Sequence, residues 1–183
     1  MTYRSLNTCR GITLIELVVA LAIAAVLFGF AVNAMGSTLN SAQTRDAGTR
    51  LLASLASARS AALERGGDVV LCPSADGIAC ADSYHWEGGW IAFTDKDRNG
   101  ERDDNETVLQ VESALADPVR LVTSTGRTRL HFQADGAATG SNATFTLCDT
   151  SGHGKPMAYA MANSGNVRAV PAKTKTAAEI CGA

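Results

Sequence analysis

The residue hardest to explain as packing is Glu16, the only charge in the apolar run ITLIELVVALAIAAVLFGFAV, residues 12–32. A carboxylate in an apolar segment of bilayer length costs about 2.5–3.5 kcal/mol on insertion scales, so its presence points to a function. Glu16 stands four residues after Ile12, and Gly11 precedes Ile12. Cleavage of the Gly11–Ile12 bond would create an α-ammonium one helical turn from this carboxylate. The two groups would neutralise each other, within one chain or between neighbours, where neither is well solvated. A glycine on the departing side gives a protease unhindered access to the backbone.

Three other constellations carry chemistry. Cys72, Cys80, Cys148 and Cys181 follow the apolar run, while Cys9 precedes it. Pairing nearest neighbours gives Cys72–Cys80 and Cys148–Cys181, one of three possible connectivities. A C-x7-C spacing with no histidine beside it is not a zinc pattern. The segment from Asp95 to Glu106, DKDRNGERDDNE, fits D-x-[DN]-x-[DN]-G-x5-E, with Asp103 at the ninth position. Its flanks read as strands rather than helices, and Arg102 stands at the eighth position where an apolar residue is usual. The segment therefore reads as a solvated acidic hairpin loop without metal, with Ca²⁺ as the alternative. Finally, Arg127, Arg129, Arg168, Lys173 and Lys175 make the C-terminal part basic. In an extended backbone Arg127 and Arg129 share one face. His85, His131 and His153 lie apart from any recognisable nucleophile, and the sequence carries no phosphate loop or dinucleotide motif. The chain does not read as an enzyme, and no cofactor is expected.

The elements that position these groups follow from periodicity. Residues 12–32 would span about 31 Å as a helix, close to a bilayer core of ~30 Å. The helical pattern continues over 33–65, where Leu39, Ala42, Leu51, Leu52, Leu55, Ala58 and Ala62 recur at three- and four-residue steps. Gly66-Gly67 ends it. Gly29, Gly36 and Gly48 are points where such a long helix is expected to bend. Beyond Gly67, eight short strands are expected at 68–72, 90–94, 107–112, 119–123, 129–133, 143–148, 157–162 and 166–170. The fold class is α+β, a long N-terminal helix packed on a β-rich, two-sheet head, with the first half of the helix in the membrane. The domain organisation is a cleaved leader 1–11, a membrane segment 12–32, an amphipathic continuation 33–65 and the head 66–183.

Composition sets the outer bounds. The 183 residues are 46% hydrophobic and 19% charged, which excludes a disordered chain, and a net charge of −2 excludes bulk attraction to nucleic acid. The charge is uneven: residues 66–117 hold twelve acids against three bases, and residues 120–183 hold seven bases against three acids. Arg4 and Arg10 keep the short leader cytoplasmic, which places the residues after the apolar run outside the cytoplasm. That compartment is oxidising, and four cysteines there favour disulfides.

The string Gly11-Ile-Thr-Leu-Ile-Glu16 resembles the processing site of type IV pilins and pseudopilins, with Ile12 in place of the usual Phe. The resemblance implies cleavage after Gly11 by a prepilin peptidase, N-methylation of Ile12, and Glu16 as the assembly residue. Further strings resemble the GspH/FimT/FimU group, the branch with a β-sandwich head. They are Leu71-Cys-Pro-Ser, Gly89-Trp-Ile-Ala-Phe-Thr-Asp95, Phe132-Gln-Ala-Asp-Gly136, Phe145-Thr-Leu-Cys-Asp149 and Ser164-Gly-Asn-Val-Arg168. Membership implies a minor subunit at or near the tip of a type IV pilus or type II secretion pseudopilus that helps start assembly. The implied partners are other pilins or pseudopilins, the peptidase, an inner-membrane assembly platform and membrane lipid. The implied location is the inner membrane, single-pass with a periplasmic head, and then the filament. Some members bind DNA through a G-R-x-R string; here Gly165-Asn-Val-Arg168 retains only Arg168. DNA uptake is the alternative function, with Arg127, Arg129, Arg168, Lys173 and Lys175 as its contacts.

Overall fold

A computed structural model of the chain describes residues 12–151 and 155–181; at 30–38, 174–176 and 181 it describes the backbone alone. The chain divides into two compact units, Met1–Thr38 and Leu39–Ala183. Helix α1, Leu14–Arg65, runs through both. It carries on through Gly29, Gly36 and Gly48 as helix, so none of the three breaks it. Its end is a Schellman cap: Gly66 adopts φ +60°, and the Gly67 N–H reaches back to the Ala62 carbonyl at 3.3 Å.

In the second unit the helix buries Ala47, Leu51, Leu55, Ala58 and Ala62. That stripe differs from the expected one at three positions. Leu39 is 56% exposed, Leu52 is 36% exposed and Ala42 is exposed; Ala47 takes their place. Residues 47, 51, 55, 58 and 62 keep one side of a 3.6-residue helix, and Leu52 lies about 100° off it.

The eight strands all form, within a residue or two of the expected bounds. Sheet A is antiparallel in the order β3-β2-β1-β5, from β1 Val69–Pro73, β2 Trp90–Thr94, β3 Val108–Glu112 and β5 Leu130–Phe132. Sheet B is antiparallel in the order β4-β6-β7-β8, from β4 Val119–Thr123, β6 Ala143–Asp149, β7 Met157–Met161 and β8 Val167–Pro171. A short helix α2, Thr174–Cys181, follows, beyond the last element that the sequence pattern predicts.

The main core joins the helix stripe to one face of each sheet. Trp86 and Phe145 meet edge to face with ring centroids 5.3 Å apart, and Trp90 lies 6.4 Å from Trp86. In β4 and β6, alternate residues face this core, with Leu121 opposite Leu147 and Thr123 opposite Phe145. Strand β1 is buried on both faces. Val69 and Leu71 enter the main core, whereas Val70 and Cys72 join Ile91, Phe93 and Cys80 in a second cluster. Two-sided burial is why VVLCP reads as an unbroken apolar run. Along β4, the Trp86 N–H bonds to the Leu121 carbonyl at 2.8 Å and the Thr123 N–H to the Tyr84 carbonyl at 2.9 Å. Residues 84–86 thus cover that sheet edge.

Candidate functional site: the helix start and the surfaces of the head

The start of α1 is built by a side chain the sequence reading passed over. Ile12 and Thr13 lie outside the helix. The Thr13 carbonyl accepts the Leu17 N–H at 3.2 Å, and its Oγ1 accepts the Glu16 N–H at 3.4 Å. Those two bonds define an N-cap, with Leu14, Ile15 and Glu16 as the first three helical positions. Thr-Leu-Ile-Glu has the S/T-x-x-E spacing of a capping box, a signal available in the sequence, and its Thr13 half is formed. The Glu16 carboxylate stands exposed in the first turn, where a negative charge favours the helix dipole. Ile12 is 74% exposed; Gly11 lies outside the described residues. Every large apolar side chain from Ile12 to Phe28 is more than half exposed. Among the described residues no helix is long and apolar enough to cross a membrane. The expected span 12–32 extends into positions 30–32, whose side chains lie outside the described residues.

In the head, Cys72 and Cys80 form a disulfide, in agreement with nearest-neighbour pairing. Within the loop it closes, the Asp76 carboxylate accepts the Ile78 and Ala79 N–H groups and the Ser74 hydroxyl. Those bonds hold its pKa below the ordinary value. Cys148 is also disulfide-bonded and packs with Ala177 and Ile180 of α2. The Cys181 side chain, its expected partner, lies outside the described residues.

The acidic hairpin loop brings Asp95, Asp97 and Glu106 together, with one oxygen of each within 4.8 Å of the others. Asp95 and Glu106 are buried. The loop also meets the demands of its carboxylates internally. Asp95 accepts the N–H groups of Asn99 and Gly100, and Glu106 accepts those of Lys96 and Asp103. Burial, followed by repulsion from Glu106 and Asp97, raises the Asp95 pKa against the opposing Gly100 N–H and nearby His131. If a cation were held here, these three carboxylates would be its ligands.

The basic candidates stand in different surroundings. Arg129 is largely buried and bridges two loops: it pairs with Asp82 and with Glu101 and donates to the Gly100 carbonyl. Burial alone would lower its pKa; the two carboxylates more than offset that and raise it. Arg127 is held instead by the backbone carbonyl and side-chain oxygen of Asn142. Both residues precede β5 rather than alternating along it, which is why the expected shared face does not form. Arg168 and Lys173 are exposed, and Lys175 falls where only the backbone is described. Asn166, in the position that precedes the retained arginine by two, accepts a bond from Arg59 of α1 at 2.9 Å. Arg59 also bonds the Gly136 carbonyl and so ties the helix to both segments.

A buried polar network at the helix–sheet A seam is the other feature that apolar periodicity does not reveal. Ser54, fully buried on α1, accepts Trp90 Nε1–H at 2.9 Å and Gln110 Nε2–H at 2.8 Å, and donates to the Arg50 carbonyl. Arg50 lies over the Trp90 ring, 5.6 Å from its centroid, and pairs with Glu112 on β3.

Similar proteins agree with this architecture. No curated protein matches the chain. Among solved structures, the type IV minor pilin FimU of Pseudomonas aeruginosa matches in two crystal forms. One has a TM-score of 0.55 at 17% identity, covering 69% of this chain and 87% of that one. The other has 0.54 at 16%, covering 69% and 92%. The minor pseudopilin EpsH of the Vibrio cholerae type 2 secretion system matches with a TM-score of 0.50 at 11% identity, covering 70% and 97%. Residues 6–32 match the prokaryotic N-terminal methylation motif. Residues 47–165, which include the buried helix stripe and most of both sheets, match the pattern of type II transport protein GspH, and the chain belongs to that family.

Proposed function

We propose that the chain is a minor pilin or pseudopilin made as a precursor and cut after Gly11 by a prepilin peptidase that also methylates Ile12. Residues 12–32 hold it in the inner membrane with the head, 66–183, in the periplasm. The assembly platform then moves it into a type IV pilus or type II secretion pseudopilus, at or near the tip. There it contacts other pilins and helps start assembly. One observation carries this reading: from Ile12 to Phe28 every large apolar side chain is more than half exposed, and the one charge among them, Glu16, has no side-chain partner among the described residues. Such a surface needs lipid or kindred helices to cover it. The lone carboxylate needs a cation, which the new terminal ammonium of a subunit supplies. Intact-mass analysis of native material tests the processing, with residues 12–183 and one added methyl as the expected product. Glu16→Ala should leave the head folded and stop incorporation into the filament; incorporation at the wild-type level would sink the role given to Glu16.

A second reading, DNA capture, rests on exposed Arg168 and Lys173. Two phosphate contacts give a log–log salt slope of about −1.8 on duplex DNA. A gel shift at low salt that is lost in Arg168→Ala supports this reading, and no shift for the native head removes it.

A further inference from the structure

We propose that a trough on the outer face of sheet B binds an extended acidic polypeptide segment through Asn142, Asn166 and Arg168, with a side-chain carboxylate of that segment on Arg168. The inference goes beyond the filament reading and does not depend on cleavage or on the membrane segment. The trough has a volume of about 680 Å³, and its lining includes Ser124, Asn142, Thr144, Ala160, Asn166 and Arg168. That size falls within the range of ligand sites. Thr144 and Ala160 pair across β6 and β7 on the face opposite Phe145 and Met161, which enter the main core.

Two arginines fix the orientation of the amides. Arg127 donates to the Asn142 backbone carbonyl at 2.8 Å and to its Oδ1 at 3.1 Å, and Arg59 donates to Asn166 Oδ1 at 2.9 Å. A guanidinium only donates, so the oxygen of each amide is the atom that faces it. Each asparagine therefore keeps both Nδ2 hydrogens uncommitted, and neither Nδ2 donates to a described residue. Arg168 is exposed, and no Asp or Glu lines the trough among the described residues. The lining thus offers amide donors and a single positive charge. Its complement is a row of acceptors with one negative charge among them. Strand pairing sets the spacing: Ala143 lies opposite Met161, and Met161 opposite Val167. Asn142 and Asn166 immediately precede Ala143 and Val167, so they stand two strands apart, about 10 Å at a strand spacing of ~4.8 Å. An extended chain covers that distance in about three residues. Its peptide carbonyls then meet the two amides while a carboxylate makes a charge-assisted pair with Arg168. A nucleic acid carries a charge on every phosphate and would meet only one cation in the trough, so the donor set favours polypeptide.

The test uses the full-length chain in nonionic detergent at low ionic strength, with fluorescence anisotropy of a fluorescein-labelled, C-terminally amidated oligoglutamate as the readout. Oligoglutamate is expected to bind at least about tenfold more tightly than oligoglutamine, the difference a charged hydrogen bond makes. Arg168→Ala should weaken it about tenfold. Asn142→Asp and Asn166→Asp keep the oxygen that each arginine holds but replace the free donors with negative charge, and each should also weaken it about tenfold. Lys155→Ala, an exposed cation outside the trough, should change affinity less than about twofold, because an exposed charge off the site is screened. The inference is overturned if oligoglutamate does not bind, or if oligoglutamine binds as well. It is equally overturned if the Asp variants bind like wild type, or if Lys155→Ala costs as much as Arg168→Ala, since the attraction would then be diffuse. Oligothymidylate binding as tightly as oligoglutamate would overturn it in favour of the DNA reading.

Discussion

Gly48 offers the sharpest test of how the helix seats on sheet B. In α1 a glycine costs about 1 kcal/mol relative to alanine, so on propensity alone Gly48→Ala should stabilise. The structure reverses the sign. A Cβ built on Gly48 would stand 2.7 Å from Tyr159 Oη, with Tyr159 Cε2 and Leu147 Cδ2 both at 3.4 Å. The first distance is far inside contact and falls on the end of a rigid ring; the other two are tight but tolerable. Overpacking of this kind costs about 1–3 kcal/mol, so the net expectation is a loss of about 1 kcal/mol. Removing the offending atom should release the gain. Tyr159→Phe loses only a 4.0 Å contact of its hydroxyl with Met157 sulfur, so it should be close to neutral by itself. In that background Gly48→Ala should stabilise by about 1 kcal/mol, a coupling of about 2 kcal/mol between the two sites. Urea unfolding of the compact unit from Leu39 to Ala183, with m unchanged across the four proteins, measures it. Stabilisation by Gly48→Ala with Tyr159 intact would show that the ring gives way at no cost, and the reasoning would fail.

Ser54→Ala should cost about 2 kcal/mol in the same urea assay, because Trp90 Nε1–H loses its acceptor in the core while Gln110 keeps Glu112; a change under ~0.5 kcal/mol refutes the network. Asp95 gives a pH signature. Its folded pKa is raised above the ordinary 3.8, so the folded state binds the extra proton and stability falls as pH climbs through the window that starts near that value. Asp95→Asn should remove that descent, and a pH-independent difference between the two proteins counts against the raised pKa. Reducing Cys72–Cys80, which closes a loop of sequence separation 8, should cost at most about 2.6 kcal/mol by loop entropy, read as a lower urea midpoint in Cys72→Ala/Cys80→Ala.

Much of this fold is legible in the sequence because its signals are local. Strands such as VVLCP and WIAFT are apolar enough on both faces to stand out between Gly, Asp and Asn turns. Cys72 and Cys80 are close enough for proximity to suggest their pairing. What escapes is set by partners distant in the chain. Arg129 looks like a free cation until Asp82 and Glu101, from two other loops, reach it. Ser54 reads as a polar gap in an apolar stripe until Trp90 and Gln110 arrive from sheet A. Helix α2 is only eight residues, too short for periodicity to declare it, and its Ala177 and Ile180 acquire a core only beside Cys148. Thr13 is a different case: the capping-box spacing lies in plain view, but a lone carboxylate in an apolar run draws attention from the hydroxyl three residues before it.

The covering of β4 by residues 84–86 bears on how such heads behave in a crowd. A bare strand flank is adhesive to any other bare flank, and molecules held close by a common support meet repeatedly at high local concentration. Here one flank is sealed by the Tyr84–Trp86 segment, and β8, at the opposite flank of that sheet, carries Arg168 and ends at Pro171, both poor neighbours for an incoming ladder. Sheet B therefore has little capacity to zip onto a sibling. Contact between two copies of this sheet must then go through side chains rather than through a shared ladder.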